Sequence, residues 1–279
     1  MLMPLYHLAS VVKRNGKKIH INWSKNPNGK AIVFIHGFRG SPLGTWGGFK
    51  RLFCINEETS GFDLIFYHYD SNFTQSIVSG SYLDSFLDEL KVSPYKIIKE
   101  SGSSQVYIER KLDFKYDRLV LVAHSLGGVV TRQAQLYAYQ HRHSWLGISS
   151  MVFYAPAHSG ARDVDNLARL CIPVGWLRRF LRFKYVNIDD LNIDRMSSSL
   201  HQLKDATKTL VGSNANHFSI ARYVVSAENE YIVNNTPFLK DPMPIPIPGT
   251  THTSVCKPSE LFNIPFGILT KHLDEIARL

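Results

Sequence analysis

The chain has 279 residues, of which 44% are apolar and 20% charged; residues 1–279 are therefore read as a single α/β domain able to bury a sizeable core. Cys54, Cys171 and Cys256 lie far apart with no C-x-x-C pair, which argues against a disulfide framework or a zinc site and fits a reducing, cytoplasmic setting. No cationic stretch precedes a long apolar run at the N-terminus, and no segment reaches the roughly 18 apolar residues of a membrane span, so neither a leader nor a span is expected.

Short apolar runs alternate with longer amphipathic stretches, the pattern of a mostly parallel sheet flanked by helices. Leu5 to Val12 and Lys18 to Trp23 are predicted as strands joined at Asn15-Gly16, a hairpin signal. After the break at Asn26-Pro27-Asn28-Gly29, the run Ala31 to Ile35 has the composition of a central strand, and Asp63 to Tyr69 predicts another. Between Ser79 and Lys111, Leu83, Phe86, Leu87, Leu90, Ile97, Ile98 and Ile108 recur at helical spacing, with Pro94 placed to open a second helix. Arg118 to Ala123 predicts a strand, Gly127 to Tyr139 a helix, and Ser150 to Ala155 a further strand. Residues 161–213 carry helical pieces and no strand, which is long for a crossover and predicts an inserted helical cap. A strand at Ala221 to Ser226, an extended proline-rich run from Pro242 to Pro248, and a helix from Leu261 to Leu279 complete the chain.

The sharpest local feature is Ala123-His124-Ser125-Leu126-Gly127-Gly128, where an apolar strand run meets a helical one. Small residues around a serine let the backbone turn tightly from strand to helix and expose the hydroxyl above the sheet edge, as in a nucleophile elbow. The following helix N-terminus favours negative charge developing near Ser125. Upstream, His36-Gly37-Phe38 directly follows the Ala31 to Ile35 strand; His36 is read as a loop-holding residue, with Gly37 and Gly40 allowing close backbone approach. His252 stands on a polar loop before the last helix, whereas His272 falls within that helix and is expected to be solvated. Glu230 and Glu228 both follow the Ala221 to Ser226 strand and both remain candidates for the acid, with Asp241 a third.

These residues resemble the α/β-hydrolase superfamily, and within it the serine esterase and lipase-like group that includes inositol deacylases of lipid-anchored proteins. The resemblance rests on Phe34 to Pro42 with Thr45-Trp46, on Leu121 to Gly128 with Val129, Val130 and Arg132, and on His252 with Cys256-Lys257-Pro258. Phe153 to Gly160 is similar to a Pro-His-x-Gly segment of those relatives, with an extra Ala157 between proline and histidine, so His158 is read as structural. The resemblance implies the chain order nucleophile, acid, histidine, which His217 does not satisfy. It implies Ser125 as nucleophile, His252 as general base, Glu230 or alternatively Glu228 as the acid, and the backbone N–H groups of Phe38 and Leu126 as an oxyanion hole. It implies an acyl ester or lipid substrate and no metal or cofactor. A thioesterase, acyltransferase or peptidase would use the same groups, and a non-enzymatic binding protein on this fold is the alternative from another class.

The net charge of +9 is compatible with nucleic acid, an anionic membrane or merely a basic protein; no nucleic-acid motif accompanies it, and no nucleic-acid partner is expected. Ile172 to Val186 interleaves large apolar residues with Arg178, Arg179, Arg182 and Lys184, as either a cap helix with solvated arginines or a peripheral contact with an anionic membrane would. Oligomeric state is not legible.

Overall fold

The computed structural model describes residues 5–7, 9–72, 74–102, 104, 106, 110–160, 199–212 and 217–278. Strands β1 (Ser10–Arg14) and β2 (Lys17–Asn22) form an antiparallel hairpin about Asn15 and Gly16, whose φ values of 48° and 74° suit a type I′ turn. The first strand begins later than its apolar pattern predicts, because pairing outward from this turn draws Lys13 and Arg14 into the ladder. Strands β3 (Lys30–Ile35), β4 (Phe62–Tyr67), β5 (Arg118–His124), β6 (Ser149–Tyr154), β7 (Tyr223–Asn229) and β8 (Ile245–Thr251) complete a sheet of order β1-β2-β4-β3-β5-β6-β7-β8. The β1–β2 and β2–β4 pairs are antiparallel and the others parallel. The central strands are buried on both faces, which is why they read as continuous apolar runs rather than alternating ones.

Strand β8 corrects the expectation of a merely extended run. Pro246 and Pro248 remove two backbone donors, which a central strand does not tolerate; among the described residues β8 pairs with β7 alone, so the missing donors need no partner on its other side.

Helices α1 (Phe49–Ile55), α2 (Ser76–Val92), α3 (Pro94–Glu100), α4 (Leu126–His141), α5 (Ser199–Gly212) and α6 (Ile264–Ala277) cover the sheet. Side-chain alternation divides the layers. On one face Phe34 stacks on Phe66 and meets Phe49 and Phe53 of α1, which in turn meet Phe266 of α6. On the other, Tyr67 meets Phe86 of α2, and the Arg132 guanidinium of α4 lies over Phe153. Helices α2 and α4 approach closely at Gly80, where a Cβ would fall 2.4 Å from that of Gln133. Among the described residues no helix is long and apolar enough to cross a membrane.

His272 is only 2% exposed, which overturns the expectation of a solvated helix histidine. It shares the inward stripe of α6 with Leu269, Leu273 and Ile276. Of the expected cap, residues 161–198, including Ile172 to Val186, lie outside the described residues; α5 is the described part of it.

Candidate active site

The sheet grows from β3 toward β4 on one side and then from β3 toward β5 on the other. Loops leaving the C-terminal ends of β3 and β5 therefore part in opposite directions and leave a crevice between them, where open α/β sheets place their ligand sites. His36-Gly37-Phe38 follows β3, and Ser125 follows β5.

Ser125 turns the chain from β5 into α4 with φ 53° and ψ −123°. The turn is pinned by its own N–H donating to Tyr154 O at 3.1 Å, while its carbonyl accepts Gly128 N–H and Ala157 N–H, both at 3.0 Å. Gly127 is needed because a Cβ there would lie 2.4 Å from Ile35 O; at Gly37 it would lie 2.8 Å from the Ser125 Cβ. The glycines thus let the loop after β3 and the start of α4 come into contact around the serine.

His252, on the turn after β8, places Nε2 3.0 Å from Ser125 Oγ and Nδ1 3.0 and 3.1 Å from the two carboxylate oxygens of Glu230. Glu230 Oε1 also accepts the N–H groups of Ile232 at 2.9 Å and Val233 at 3.1 Å. All three side chains are buried. Glu228, the alternative acid, instead accepts Gly249 N–H at 2.8 Å on the exposed surface. Asp241 is occupied by Arg132, whose Nη2 lies 2.7 and 2.5 Å from its oxygens in a buried pair. His158 packs between Phe153 and Phe238 with Nε2 3.9 Å from Asp241. Phe38 lies in the loop following β3, and Leu126 opens α4, where an N–H has no intrahelical acceptor.

His124 is a residue that the sequence did not single out. Its Nε2 lies 2.8 Å from the carbonyl oxygen of His252 and so carries the hydrogen that it donates there. Burial, followed by the neighbouring His252, pushes the His124 pKa down to about 3, which keeps it a neutral donor. The signal was its position directly before Ser125 at a strand end. His36 is likewise neutral, its pKa lowered to about 3 by burial; its Nδ1 bonds Gly37 O at 2.9 Å, and its ring stacks on Tyr69. Cys256 ties the His252 loop to the β3 side through a 3.3 Å bond from Sγ to Thr45 O. A cavity of about 330 Å³ adjoins this site, lined by Gly37, Phe38, Gly40, His124, Thr253 and Lys257. Among the described residues no group of three or more His, Cys, Asp or Glu side chains could hold a metal ion.

No protein-family model and no curated protein matches the sequence. Solved structures do. A lipase from Bacillus licheniformis is 16% identical with a TM-score of 0.53, over 87% of this chain and 91% of its own. One of two fungal esterases from Rhizomucor miehei is 15% identical with a TM-score of 0.54, over 98% and 84%. The chain has the α/β-hydrolase fold. A peroxisomal α/β-hydrolase from Saccharomyces cerevisiae, 12% identical with a TM-score of 0.53 over 97% and 86%, is a third example. At these identities the likeness extends to the α/β-hydrolase fold alone. In that fold a serine turning between a central strand and its helix stands above the sheet edge, as Ser125 does between β5 and α4.

Proposed function

We propose that the protein is a serine hydrolase that cleaves acyl esters through an acyl-enzyme on Ser125. The observation that carries this reading is the buried line of contacts from Ser125 Oγ to His252 Nε2 and from His252 Nδ1 to Glu230. A free serine hydroxyl is a poor nucleophile, and a neutral imidazole in hydrogen-bond reach can take its proton as the oxygen attacks. Glu230 then steadies the imidazolium and holds the hydrogen on Nδ1, leaving the Nε2 lone pair toward the serine.

In this reading Ser125 Oγ adds to the ester carbonyl, and the oxyanion lies against the N–H groups of Phe38 and Leu126. His252 returns its proton to the departing alkoxide, which leaves as the alcohol. His252 then takes a proton from water, whose oxygen attacks the acyl-enzyme; collapse releases the carboxylic acid and restores Ser125. Every group in these steps is a side chain or backbone N–H of this chain. A lipid ester is the substrate class that the likeness in fold to the Bacillus licheniformis lipase favours.

The test is fluorophosphonate labelling of the purified protein, with Ser125→Ala and His252→Ala alongside, because only an activated serine reacts quickly. Labelling of the wild type and of neither variant is the expected result. A folded wild type that resists the probe and cleaves no acyl ester overturns the proposal.

A further inference from the structure

A cavity of about 700 Å³ lies at the opposite end of the sheet from Ser125. It is formed where β5, β6 and β7 begin, over the last turns of α6. Arg118 opens β5, and Arg222 immediately precedes β7, with its N–H donating to Met151 O at 2.8 Å. Arg118 and His124 are six steps apart along an extended strand, so this cavity is roughly 20 Å from the Ser125 site.

Its chemistry is uneven. Arg118 and Arg222 both line it; Arg118 Nη1 donates to Asp117 O at 2.9 Å, and neither arginine has an ion pair among the described residues. The one acid on the wall is Glu275, whose Oε1 accepts the Tyr223 hydroxyl at 2.6 Å; this bond, the main cause of its lowered pKa, keeps it ionised. Two guanidinium groups against one carboxylate leave a net single positive charge facing the space. Beneath them His272 is 2% exposed, with Nε2 2.8 Å from Ser150 Oγ and Nδ1 3.5 Å from Glu275 Oε2. At that distance and orientation Nδ1 meets Glu275 as an ion-pair contact and has no well-aligned hydrogen-bond partner among the described residues. Phe218, Ile148 and Ile276 make the remaining wall apolar.

We propose that this cavity is a binding site for an organic monocarboxylate with an apolar body, its carboxylate held between Arg118 and Arg222 and its body against Phe218 and Ile276. A planar guanidinium matches a carboxylate in two parallel hydrogen bonds, and one negative charge balances the single excess positive charge. The volume falls within the range of pockets that enclose small organic ligands. The site is separate from Ser125, and the proposal stands whether or not the protein is a hydrolase.

Calorimetric titration of the full chain with octanoate tests it, with octylammonium and inorganic phosphate as probes of charge and of the apolar body. The expected result is one octanoate site per chain, retained in Ser125→Ala and weakened by about tenfold or more in Arg118→Gln/Arg222→Gln. Octylammonium and phosphate should bind much more weakly. The exposed Arg222→Gln alone carries the same expected direction if the double variant does not fold. Binding unchanged by the arginine variants, binding lost in Ser125→Ala, equal binding of octylammonium or phosphate, or no octanoate binding at millimolar concentration would each overturn the proposal.

Discussion

Replacing Glu230 by Gln removes one charge and leaves the shape, so its effect follows from where the amide must point. Oε1 accepts two backbone N–H groups, from Ile232 at 2.9 Å and Val233 at 3.1 Å. The glutamine carbonyl is held at that position, because an NH₂ there would face two donors. Its NH₂ then occupies the place of Oε2, 3.0 Å from His252 Nδ1, and donates to the ring. A neutral imidazole receiving a hydrogen bond at Nδ1 carries its own hydrogen on Nε2, toward Ser125, and has no lone pair to accept the serine proton. The carboxylate that stabilises the imidazolium is also lost. By analogy with amide replacement in serine-histidine-acid sites, kcat/KM for an acyl ester falls about 10³- to 10⁴-fold, or roughly 4 to 5.5 kcal/mol of transition-state stabilisation. Glu228→Gln, altering an exposed contact to Gly249, changes it within about threefold. Spectrophotometric hydrolysis of a p-nitrophenyl ester by folded variants distinguishes the two. Activity within a few-fold of wild type in Glu230→Gln, or a larger loss in Glu228→Gln, refutes the assignment.

Two further predictions concern stability. Ser125 holds φ 53° and ψ −123°, a region open to glycine and strained for a residue with a Cβ; Ser125→Gly therefore stabilises the fold by about 1–2 kcal/mol, raising Tm by a few degrees, while Ser125→Ala keeps the strain and does not. Thermal melts of both variants check this, and a glycine variant melting no higher than the alanine one refutes it. His36 and His124 have folded pKa values of about 3 against an ordinary 6.5. Below about pH 6.5 the unfolded chain takes up protons that these residues refuse in the fold, so their stabilising contribution is complete above that pH and is lost as pH falls, by up to about 1.4 kcal/mol per pH unit each. His36→Gln should flatten the fall in urea stability between about pH 6.5 and pH 4.5 relative to wild type; an unchanged slope refutes the buried neutral assignment.

The parts of the site that sequence could reach are those encoded within a few neighbouring residues. The strand-to-helix turn at Ser125 is written in the apolar run before it and the two glycines after it. His252 stood out as a polar-loop histidine late in the chain. The choice between Glu228 and Glu230 was not local, because it depends on how β7 meets β8. The pairing shifts register between Ala227 and Asn229, and β7 ends before Glu230, which turns inward while Glu228 stays at the surface. Strand β8 itself was hidden by prolines that only an edge position permits. His272 had a readable signal: it occupies the same helical stripe as Leu269, Leu273 and Ile276, and periodicity should have outweighed its polarity.

The backbone irregularities carry a further distinction between the two ends of the sheet. Among the described residues six other than glycine have positive φ, and three of them are Arg39, Ser125 and Ala155, in the segments leaving β3, β5 and β6. All three stand at the end that holds His252 and Glu230. Such conformations persist only where neighbours over-determine them, and here they do: Ser125 is fixed by three backbone hydrogen bonds, and Ala155 N–H donates to Val225 O at 2.7 Å. At the other end Arg142, φ 58°, merely caps α4 in the ordinary left-handed helix-ending conformation, and the 700 Å³ cavity is bounded by strand starts and the last turns of α6. Strain therefore marks the smaller space beside Ser125 rather than the larger one. That contrast supports assigning chemistry, which requires atoms held in a costly geometry, to the Ser125 end, and simple binding to the arginine-lined cavity.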